Sequence, residues 1–196
     1  MMRARKLFLP MIAILAMFLM AGCGSDKPKD SADKAVLAYA ELYAYADTDK
    51  DAAAGLTKDQ KKKISDFVRN QSDELFQSMM LSEDNATAIT DYYIKDRKDN
   101  MELSAKVKKD DDKNPVVELK ATPIDSKGAA AMLGTNEDIV AMGVYIGLAQ
   151  QQGIDVRTDP VYQQGAMDSL RAFIDQIPYD SEKTLDVPCE LVKSDD

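Results

Sequence analysis

Histidine does not occur among the 196 residues. Its absence removes Ser-His-Asp and Cys-His nucleophile systems and every zinc site built on imidazole. Any catalysis would rest on carboxylates, Lys, Tyr or Ser-Lys. Three acids at a spacing of two, Asp47, Asp49 and Asp51, match the start of an EF-hand loop. The remainder of that loop fails. Ala52 stands where glycine must turn the chain, and Lys58 where a bidentate glutamate should close the site. These acids are expected to form a polar connector, and no metal or other cofactor is implied. Asp110, Asp111 and Asp112 are adjacent, so their carboxylates diverge and suit a solvated turn. Lys58, Lys61, Lys62 and Lys63 cluster at the start of a helix, against its dipole. A solvated face accounts for them better than a phosphate contact does. Tyr39 and Tyr43 sit at helical spacing, with Tyr45 close behind, and read as core or core-rim residues with a hydroxyl reaching water.

The other reactive type is cysteine, at positions 23 and 189. Cys23 ends an apolar run, residues 15–23, that closes Met20-Ala21-Gly22-Cys23. Small residues before a cysteine in that setting resemble a bacterial lipobox. The resemblance implies diacylglyceryl transfer to the Cys23 sulfur and cleavage between Gly22 and Cys23. Arg3, Arg5 and Lys6 supply the basic n-region, and residues 7–20 are apolar apart from Pro10. That length suits a signal h-region and falls short of the ~20 residues of a membrane span. One departure is Met20, where leucine is usual. The expected organisation is a removed lipoprotein signal peptide at 1–22, a lipidated cysteine and linker at 23–30, and one domain at 31–196. The membrane would be reached through the diacylglyceryl anchor, whose two acyl chains suffice for stable attachment. The expected location is the outer face of the bacterial cytoplasmic membrane, or the outer membrane if the source is Gram-negative.

Removing 1–22 takes away three basic residues and no acid, leaving 22 basic against 34 acidic residues and a net charge of −12. So acidic a chain is a poor partner for nucleic acid, and anionic headgroups repel it. With Cys23 lipidated, Cys189 has no intrachain partner. Residues 24–30 are polar and reach about 25 Å when extended.

The positioning elements follow from periodicity and caps. Ser31 stands at the cap position of a helix from 32 to about 46 that is apolar nearly all round, hence buried. Thr57 and Gln60 form a capping box before a long helix carrying Ile64, Phe67, Val68, Leu75, Phe76, Met79 and Met80. Ser82 caps another, 83 to about 98, whose buried face is Ala86, Ile89 and Tyr93, with Ile94 beside them. The period then drops to two: Met101, Leu103, Ala105 and Val107, a turn at 110–114, then Val117, Leu119 and Ala121 predict a hairpin. A helix is expected from about 127 to 151, interrupted at Gly134-Thr135-Asn136, with Val140, Val144, Tyr145 and Leu148 supplying its apolar face. Gly143 and Gly147 suggest tight helix packing on it. Asp159-Pro160 opens a last helix with Val161, Met167, Leu170, Phe173 and Ile174 inward. Leu185, Val187, Cys189 and Leu191 form a final strand, which Pro188 confines to a sheet edge or a bulge. Cys189 would lie on its inner face as an inert thiol. The class is α+β: a small, mostly antiparallel sheet of about three strands with several helices packed on one face.

The lipobox, the segment AYADTDKDAAAGLT, the capped helix after it and the hairpin ending KATPID resemble small lipoproteins of Gram-positive bacteria grouped as a domain of unknown function. The resemblance implies a cell-surface lipoprotein and transfers no active-site residue. Two function classes follow. One is a non-catalytic envelope domain that binds a protein, peptide or envelope polymer. The alternative is an envelope-polymer hydrolase with two carboxylates roughly 5–10 Å apart. Without histidine or a hydrolase motif, the binding class is favoured.

Overall fold

The computed structural model describes residues 31–47, 56–111 and 113–190. Cys23, Gly22 and the whole of 1–30 therefore lie outside the described residues, as do Asp49, Asp51, Asp112 and Leu191. The described residues form an α+β structure of six helices and three strands. In chain order these are α1 (Ala32–Tyr45), α2 (Lys58–Ser78), α3 (Glu83–Asn100), β1 (Leu103–Lys109), β2 (Val116–Ala121), α4 (Ser126–Thr135), α5 (Glu137–Gln151), α6 (Pro160–Ile174) and β3 (Lys183–Pro188). The chain divides into two compact units, residues 1–65, 102–123 and 181–196 in one and 66–101 and 124–180 in the other.

The first unit holds α1 and the sheet. The strands run antiparallel in the order β1-β2-β3. Val117 sits opposite Val107 on one side and Val187 on the other, and Leu119 opposite Ala105 and Leu185. This register puts the odd-numbered residues on one face, where Val117, Leu119 and Val187 pack with Val36 and Ala40 of α1. The even-numbered face carries Lys108 paired to Asp186 and is exposed. Helix α1 buries Val36, Ala38, Tyr39, Ala40, Leu42, Ala44 and Tyr45, as its near-continuous apolar character requires. Ser31 occupies its cap position, but the side chain accepts no backbone N–H. It bonds instead with Asp33, whose pKa it lowers. The helix stops at Ala46, which is left-handed at φ 53°, and the Ser65 hydroxyl donates to the Ala46 carbonyl at 2.9 Å. The Thr57–Gln60 box is reciprocal: Thr57 N–H donates to Gln60 Oε1 at 2.8 Å and Gln60 N–H to Thr57 Oγ1 at 3.2 Å.

The second unit is helical. Its core joins Phe76, Leu81, Ala86, Ile89, Met142, Ala149, Val156, Tyr162, Ala166, Met167, Leu170 and Ile174. Helix α6 presents Tyr162, Ala166, Leu170 and Phe173 at helical spacing. Three inward assignments made from periodicity are corrected. On α2 the buried positions are Ser65, Val68, Ser72 and Phe76, while Phe67 and Leu75 are exposed. On α6 Tyr162 points inward and Val161 is 74% exposed. On α5 Met142 and Ala149 are buried, and Val140, Val144, Tyr145 and Leu148 face outward. The break at Asn136 is as expected, because its Oδ1 accepts Ile139 N–H at 3.0 Å and caps α5. Glycine is needed at 128, where a Cβ would lie 2.5 Å from Asp125 Oδ2 and 2.8 Å from Pro178 Cγ.

Candidate functional site

Helix α5 carries the most unusual surface among the described residues. From Ile139 to Ile154 there is no charged side chain, in a chain where 30% of residues are charged. Two rows run along the helix. Val140, Val144 and Leu148, spaced by four, form a ridge and are 50%, 58% and 53% exposed. Gly143 and Gly147 form the adjacent row, and a Cβ built on either would meet nothing within 4 Å. The result is an apolar ridge beside a trough. The sequence marked both rows as tight packing, and no described element packs on the glycines.

Two anchors hold this face. The inner row, Met142 and Ala149, enters the helical core with Ile139 and Ile146 against it. Tyr145 stacks on Tyr162 with ring centroids 5.7 Å apart and an interplanar angle of 19°. Its hydroxyl donates to Asp159 Oδ2 at 2.5 Å. Asp159 Oδ1 meanwhile accepts Val161 N–H at 3.0 Å and caps α6. The carboxylate bond raises the Tyr145 pKa, and the same bond, together with the cap bonds, lowers that of Asp159. The start of α6 thus fixes the outer edge of α5.

The residues marked in the sequence are dispersed. Asp47 lies half-buried just past α1, and the rest of its acidic run is outside the described residues. Asp111 accepts Lys113 N–H at 3.1 Å and Asn114 N–H at 3.0 Å, and these bonds depress its pKa. It is a turn residue. Lys58, Lys62 and Lys63 are exposed on the first turns of α2. Tyr39 and Tyr43 lie with ring centroids 5.0 Å apart, Tyr39 buried. Cys189 lies one residue beyond β3, half-buried against the α1–sheet core. Its N–H donates to the Pro115 carbonyl at 2.9 Å, and burial pushes its thiol pKa up. Opposite the buried Leu119, Leu185 stays exposed, because β3 is an edge strand.

Among the described residues, every carboxyl whose pKa clearly departs from its ordinary value, Asp33, Asp111 and Asp159, is lowered. A general acid needs the opposite shift. No group of three or more Cys, Asp or Glu able to hold a metal occurs among the described residues. Sequence reasoning missed four buried polar side chains of the second unit, Ser72, Thr90, Arg97 and Gln163, the last two of them large. The Arg97 guanidinium lies 5.4 Å over the Tyr93 ring. A polar residue at a core position of an amphipathic helix was the available signal in each.

No protein-family model matches this chain, and no curated protein matches it. Among solved structures the chain is similar to the crystal structure, at 2.62 Å, of a candidate lipoprotein, ycdA, from Bacillus subtilis subsp. subtilis str. 168. Sequence identity is 16%, the TM-score is 0.47, and the match covers 84% of this chain and 52% of that one. This chain thus spans about half the length of the structure it matches.

Proposed function

We propose that this protein is a lipid-anchored domain of the bacterial cell envelope that works by non-catalytic binding, using the outer face of α5 to meet a protein partner. The anchor half of the reading rests on sequence: the basic n-region, the apolar run and Ala21-Gly22-Cys23. The binding half rests on one observation, the uncharged ridge and trough of α5 left bare on a strongly acidic chain. Contiguous bare apolar surface is costly in water and is commonly functional where it persists. The ridge has no charged group to recognise a sugar phosphate or a nucleic acid, and it suits an apolar protein surface.

Two substitutions test the two halves separately. Cys23→Ala should abolish lipidation and leave uncleaved or mislocalised precursor; a variant that fractionates with membranes at the native mature mass overturns the anchor. A photo-crosslinking residue at Val144 of the membrane-anchored chain should yield one discrete adduct, and the same residue at exposed Gln164 should not. Equal or absent adducts at both positions overturn the binding face.

A further inference from the structure

We draw no further inference here: the strongest candidate, the Arg97 guanidinium buried near the C-terminal end of α3 over the Tyr93 ring with its Nε unbonded, carries none, because at 3% exposure it leaves no open side on which an anion could bind.

Discussion

Gln163 bonds with every atom of its amide. Its Oε1 accepts Ser82 N–H at 2.9 Å and Asn85 Nδ2 at 2.8 Å, and its Nε2 donates to the carbonyls of Met80 at 3.0 Å and Val156 at 2.9 Å. It thus fastens α6 to the turn between α2 and α3, where Met80 is held left-handed at φ 63°. Replacing it with Leu keeps the volume and strands two donors and two acceptors. Gln163→Leu should cost about 4 kcal/mol or more, read as a lowered urea midpoint, since four partners lose their bond and each buried unmet partner costs about 1–3 kcal/mol. The sequence could not show this role, because Ser82 is 81 positions away and a lone Gln on a helix reads as solvent-facing. Caps were legible for the opposite reason. Thr57 with Gln60, and Ser82 with Asn85, are contacts three residues apart that composition alone exposes. Cys189 was legible in part: alternation put it against the core, but not that β3 ends one residue before it. With its pKa raised by burial, its thiol should react with a small maleimide much more slowly than the same residue in the urea-unfolded chain. Equal rates would show that it stands open to solvent.

At the scale of the element, α5 is where periodicity failed. Apolar residues occupy nearly every position from Ile139 to Ala149, so counting them at spacing three and four selects no face. The choice is made by α6, through Tyr145 stacking on Tyr162 and through the core that takes Met142. The strands were easier. One face of the sheet is covered by α1 and the other is exposed, which leaves a clean alternation in the sequence. The two valine positions the sequence treated alike should now separate from the methionine between them. Met142→Ala removes a core side chain and should cost about 2–5 kcal/mol. Val140→Ala should stay within about 0.5 kcal/mol in the monomer. Equal losses in chemical denaturation would return Val140 to the interior.

Across the molecule, the titrating groups set a broad pH range of stability. Tyr39 and Tyr179 are raised first by burial, and Tyr92 and Tyr145 first by their bonds to Asp175 and Asp159. A group raised in the folded state stabilises below its unfolded value, about 10 for tyrosine, and loses that contribution as pH climbs through the folded value. Asp33, Asp111 and Asp159 are lowered, so their contribution is present above about 3.9 and is lost as pH falls further. The sequence has no histidine, the side chain whose ordinary value lies near 6.5. The urea midpoint should therefore be flat from about pH 5 to 9 and fall on both sides. A step near pH 6.5 would contradict this account. The α+β class and the count of three strands were legible because both rest on local patterning. The division into two units was not, since it depends on which distant segments touch.

The order of segments in the two units bears on how the protein is made. Chain from 1–65 must wait for 102–123, and both must wait for 181–196, before the sheet has its third strand. Emerging N-terminus first, α1 would hold Val36 and Ala40 in water until β3 has been delivered. The helical unit is complete once residue 180 has emerged, ahead of β3. Val187 can take its place beside Val117, over α1, only after residues 183–188 have been delivered. A ribosome stalled or a protease acting just before residue 183 would leave that place empty, with the half of the protein made first as the half left unfinished.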